Sequence, residues 1–228
     1  MRFLLLLFLF TPSVAHADFE GWFVTEARLP VYVKNARHEH RISLRLLTDF
    51  RVAERSQGLQ QALARVGFTY EPRSWLTLAS QTNFNFQRTS ATNFVQEYRQ
   101  EFEATFQLPL AASVTFTHRQ RFELRWSNGV FGVRHRLLVR ASFPISEPVH
   151  PFIFSETFIL PSGDFFNQHR LVAGFVWRAR KNVHFEIGYL YRLRSTSPTT
   201  FAHDHGPRFG LTFIPSYEGE IQNDSGSE

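Results

Sequence analysis

"FVQEYRQEFEATFQL", residues 94–108, decides the fold. Phe94, Tyr98, Phe102, Phe106 and Leu108 occupy even positions, while Glu97, Arg99, Glu101, Glu103 and Gln107 occupy odd ones. A helix would mix these two sets around its axis. An extended chain, whose side chains alternate sides, separates them completely. The segment is therefore a strand, and a long one: strands in globular sheets run ~5–6 residues, whereas a tilted strand crossing a bilayer needs ~9–11.

The same period of two spreads outward from this stretch. It recurs over 19–33, 41–53, 60–71, 75–87, 114–126, 133–143, 149–160, 168–179, 183–194 and 206–217, which with 94–108 makes eleven segments. "EPRS", "LPLAAS", "PISEP" and "RKN" read as tight turns, and "ERSQGLQ", "RTSATN", "SNGVF", "PSGDFF" and "STSPTTFAHDHG" as longer polar loops. Long alternating strands joined by tight turns at one end and longer loops at the other predict an all-β protein. The expected form is a closed, antiparallel, up-and-down transmembrane β-barrel of 10–12 strands. Closure also removes the edges that such strands would expose. Eleven segments conflict with the even strand number of bacterial barrels, so 19–33 is left as a partial strand, a lumen insert or a wall member.

Alternation alone does not say which face is inside. Aromatic residues near segment ends (Trp22, Tyr70, Trp75, Trp126, Trp177, Tyr189 and Tyr191) suit the two interfaces of a membrane. The charged face is mixed in sign, as a self-neutralising lumen would be. Across the tight turn Glu97, Arg99, Glu101 and Glu103 are expected to meet Arg119, Arg121, Glu123 and Arg125, followed by Arg134, Arg136 and Arg140. Charges this dense persist away from water only when paired. The expectation is an internal ion-pair network, either plugging the barrel or leaving a narrow basic channel.

The ends set the compartment. "MRFLLLLFLFTPSVAHA" has one basic residue, a short apolar run, Pro12 and a small-x-small end. That is a signal peptide over 1–17, cut after Ala17. The barrel domain is expected over 18–217, with a polar, disordered tail at 218–228. The whole chain carries a formal +5, and only Lys34 and Lys181 are lysine among its basic residues. Export argues against nucleic acid as the partner for this charge and leaves outer-membrane lipid and lipopolysaccharide. The barrel-assembly machinery would act during biogenesis, and the expected state is a monomer. The chain has no cysteine, which excludes disulfides and thiolate metal sites.

With strands and signal placed, the chain resembles DUF2490, a domain family of unknown function made of small outer-membrane-type barrels of Gram-negative bacteria. The resemblance is carried by "DFEGWFVTEARL", "HRISLRLLTDFR", "PFIFSETFIL", "FNQHRLVAGFVWRARKNVHFEIGYLYR" and "HGPRFGLTF". It implies location and architecture and no catalytic activity. The last strand, with Arg208, Gly210 and Phe213, is similar to the signal read by barrel-assembly machinery, although here the chain continues past it.

Candidate chemistry is sparse. Ser127-Asn128-Gly129 is similar to the end of the His-x-Ser-Asn-Gly signature of outer-membrane phospholipase A. A serine nucleophile needs a base, however, and Arg125 stands where the histidine should be. Asn-Gly is also a favoured hairpin pair. His38-Glu39-His40 and His203-Asp204-His205 have chelating spacing but fall at opposite ends and lack a third ligand. The expectation is no catalytic residue, no metal and no cofactor in a structural or narrow-channel protein. A lipid-modifying esterase and a soluble periplasmic ligand-binding barrel are the alternatives.

Overall fold

The computed structural model describes residues 18–32, 40–53, 58–88, 93–111, 114–144, 147–161, 166–197 and 200–214. The expected signal peptide, the expected polar tail at 218–228, and His38 and Glu39 lie outside them. Eleven strands run in chain order: β1 (Asp18–Tyr32), β2 (Arg41–Ala53), β3 (Gly58–Arg73), β4 (Leu76–Arg88), β5 (Phe94–Ala111) and β6 (Val114–Ser127). They continue with β7 (Val130–Ser142), β8 (Val149–Ile159), β9 (Phe166–Arg180), β10 (Val183–Ser197) and β11 (Thr200–Phe213).

These strands close one barrel in sequence order. Each consecutive pair is antiparallel, and β1 closes the ring against β11 in parallel, with Trp22 opposite Arg208 and Ala27 opposite Phe213. The wall is the expected closed up-and-down barrel, antiparallel at every pairing but this seam. Each hairpin reverses the chain, so an odd strand count brings the first and last strands together pointing the same way. Segment 19–33 thus supplies a full wall strand over Asp18–Tyr32. The seam is tight: a Cβ on Gly206 would come within 1.9 Å of the Glu20 carbonyl oxygen.

The expected contrast between short and long connections is corrected. Of "STSPTTFAHDHG", only 198–199 separate β10 from β11. Alternation persists through this polar stretch, with Asp204 buried and Phe201 and His203 exposed, so it pairs as strand. Likewise β6 and β7 are joined by Asn128-Gly129 alone. Their φ angles of 49° and 77° are the left-handed values that a two-residue Asn-Gly hairpin uses.

Burial is inverted relative to a soluble protein. Among the described residues, 25 buried side chains are polar or charged and only 11 are hydrophobic. Large apolar groups face outward all round the ring, among them Phe68, Phe102, Phe122, Phe175 and Ile187. A soluble barrel would place them inside, as its core is the only place to remove them from water. The soluble alternative does not fit this arrangement.

Candidate functional site

The lumen is built from the inward residue of each alternating pair. On the wall from β3 to β7 each carboxylate gathers several donors. Glu101, with no exposed surface, takes Arg65 at 3.2 Å, Arg121 at 3.4 Å and the Gln81 amide at 3.2 Å, as well as the Asn83 amide. Glu103 takes Arg121 at 2.5 Å and, from across the barrel, Arg45 at 3.3 Å. Glu123 holds Arg134 at 2.5 Å and Arg136 at 2.8 Å. Glu97 holds both Arg99 and Arg125. Arg119 reaches Glu156 of β8 at 2.9 Å, and Arg140 reaches Glu186 of β10 at 3.1 Å. A carboxylate offers about four acceptor positions, so two guanidiniums can share one without leaving donors idle.

The wall from β8 through β11 to β1 is built differently. Trp22, Phe152, Phe154 and Phe158 are buried in the lumen, and the first three pack with Leu138, Val172 and Leu190. Guanidiniums lie over these rings: Arg51 is 3.7 Å and Arg170 4.6 Å from the Trp22 centroid, Arg140 is 4.0 Å from Phe152, and Arg136 is 4.5 Å from Phe158. A desolvated cation over a ring face gains about 2 kcal/mol. Arg192 bridges Glu20 and Asp204, each at 2.6 Å, and the Trp22 indole N–H donates to Glu20 at 2.9 Å.

Trp22 therefore does not sit at a membrane interface as expected. It shares the even face of β1 with Glu20 and Glu26, and full wall membership of β1 turns that face inward. The other six aromatics of that set, Tyr70, Trp75, Trp126, Trp177, Tyr189 and Tyr191, are exposed. Phe152, Phe154 and Phe158, and Arg51, Arg170 and Arg192, were not singled out from sequence, and Arg208 was read as an assembly signal and not as a lumen charge. Their parity with Glu20, Asp49, Glu156 and Asp204 is the signal that finds them.

Among the described residues, fifteen arginines and ten carboxylates make these internal ion pairs, an excess of five positive charges. Between them runs a cavity of about 900 Å³. Its lining extends from Gln60, Gln87 and Asn167 at one rim to Gln107, Pro144 and Ile214 at the other.

The remaining candidates do not assemble a catalytic centre. Arg125 points into the lumen and pairs with Glu97. His118 and His135 are on the outer face, stacked on Phe106 and Phe122 with centroids 6.2 Å and 4.4 Å away. His203 and His205 bond the hydroxyls of Tyr191 and Tyr189, also outside, while Asp204 between them turns inward. On the outer face of β8 and β9, His169 lies 3.4 Å from the Ser155 hydroxyl and 3.0 Å from that of Thr157. The neighbouring charges Glu156 and Arg170 pair with each other on the lumen side, so no carboxylate orients this imidazole. No group of three or more His, Cys, Asp or Glu among the described residues is placed to hold a metal ion.

An apolar exterior around a salt-bridged Arg/Glu lumen defines a β-barrel of the outer-membrane type. The chain belongs to DUF2490, a protein family of unknown function, whose profile matches residues 22–202. Among solved structures it is similar to one titled KdgM porin, at 8% sequence identity and a TM-score of 0.44, over 82% of this chain and 95% of that one. No curated protein matches the sequence.

Proposed function

We propose that the protein is exported on residues 1–17, cut after Ala17, and inserted in the outer membrane as a monomer that forms a narrow, anion-preferring passage. The observation that carries this reading is one cavity lined by residues of both rims and bordered by an excess of five positive charges. A low-dielectric tube with a net positive wall lowers the energy of a passing anion and raises that of a cation. Tyr70, Trp75, Trp126, Trp177, Tyr189 and Tyr191 would then seat the barrel at the membrane boundaries, against outer-membrane lipid and lipopolysaccharide. Assembly would run through the barrel-assembly machinery.

The test begins with membrane fractionation and heat-modifiable migration on a gel, followed by recording from purified protein in a planar bilayer. The expected result is a membrane-borne, heat-modifiable band and a small, steady conductance. Recovery in the soluble fraction would overturn the proposal. The cross-lumen bonds Arg45–Glu103 and Arg140–Glu186 favour a second reading, a structural barrel held shut by its own network. On that reading the intact protein is silent and conducts only once Glu103→Gln and Glu186→Gln remove the crossings.

A further inference from the structure

The lumen's excess charge is not spread evenly. At the end carrying the Asn128-Gly129 turn, Arg99 of β5 lies directly opposite Arg125 of β6, and Arg125 directly opposite Gly132 of β7. Like charges opposite one another on neighbouring strands repel. Here a single carboxylate, Glu97, bridges the two. Arg134 stands two residues beyond Gly132 on the same face, within the field of both, and shares Glu123 with Arg136. Arg99, Arg125 and Arg134 thus rest on Glu97 and on a Glu123 that Arg136 shares, while Arg136 also holds Glu156 at 2.7 Å.

Two further features mark this corner as a recess with spare donors. The Nε of Arg125 is buried and has no hydrogen-bond partner. Such a donor is costly unless something accepts from it. At Gly132 a side chain would meet nothing within 4 Å, so space opens beside Arg125 on the inward face. Arg99, Arg125 and Arg134 all border the cavity.

We infer that this recess is a binding site for a small oxyanion, a phosphate or polycarboxylate group, held by Arg99, Arg125 and Arg134 where solutes enter the lumen. Negative charge on the ligand offsets the surplus of guanidinium over carboxylate at Arg99, Arg125 and Arg134, and oxyanion oxygens match the planar N–H forks. Chloride supplies charge but not the forked acceptors.

The inference rests on the reading of the lumen as a passage for anions, but its test does not need conduction. The full chain, purified in detergent, is titrated calorimetrically with inorganic phosphate, with citrate and with chloride at constant ionic strength. Saturable binding of phosphate, citrate or both is expected, with none for chloride; which one binds assigns a phosphoryl or a carboxylate group. Arg125→Gln should weaken binding about tenfold, the loss of one charged hydrogen bond. Gly132→Leu, which changes no charge, should abolish binding by filling the recess while the heat-modifiable band is kept. Lys181→Gln, in the turn at the opposite end, should bind as wild type. Absence of saturable binding by either oxyanion, or undiminished binding in Gly132→Leu, would overturn the site. A protein that binds but does not conduct keeps the site and loses the passage.

Discussion

The two walls of the lumen solve the same problem in different ways. From β3 to β7 the wall contributes eight arginines and four carboxylates to the internal ion pairs, each acid is a hub for two or more guanidiniums, and Arg140 draws on Glu186 of β10. From β8 through β11 to β1 and β2, six carboxylates serve seven arginines, and aromatic faces do part of the holding. The hub wall pairs its arginines yet leaves a surplus of charge and a spare donor on Arg125. The aromatic wall is nearly neutral and also contains the parallel seam. Buried arginine can thus be stabilised by sharing acids or by covering rings, and only sharing leaves the barrel positive.

Variants in each wall separate these two devices, beginning with the seam. Gly206→Ala drives a Cβ against the Glu20 backbone, which has no flexible end to yield, so the closed barrel should be lost. Its signature is disappearance of the heat-modifiable form, and a normally folded Gly206→Ala protein would show that β1 does not close the ring in this way. Next, Glu123→Gln takes the acid from Arg134 and leaves Arg136 with Glu156 alone. Breaking such a buried pair costs about 3–5 kcal/mol, measurable by denaturant titration in detergent. Trp22→Leu removes the ring beneath Arg51 and Arg170 and should cost about 2 kcal/mol by the same titration. Smallest is Glu186→Gln: Arg140 keeps Phe152 and Arg208 keeps Phe154, so about 1–2 kcal/mol is expected. If Glu186→Gln destabilised as much as Glu123→Gln, the rings would not be sharing the load.

Strand identity and the face each residue occupies were legible because every charged strand carries its own parity marker. In 94–108 odd positions are charged, and Glu97, Glu101 and Glu103 are all buried. β8 was harder. In "PFIFSETFIL" both faces are apolar, and only Glu156 tells that Phe152, Phe154 and Phe158 share the inward side. Trp22 was misplaced because indoles favour interfaces, although its even number set it beside Glu20 and Glu26. The parallel seam was implicit in eleven segments, since an odd number of reversals allows no other closure. Contacts such as Arg45–Glu103 and Arg119–Glu156 were not legible, because they depend on how the closed ring brings non-adjacent strands together.

The central claim, a lumen whose unbalanced arginines make it prefer anions, meets its most direct test in the reversal potential of the reconstituted protein across a potassium chloride gradient. The account predicts a potential displaced toward the chloride equilibrium value, and displaced further in Glu186→Gln, which removes one more negative charge. A potential displaced toward the potassium value would contradict it.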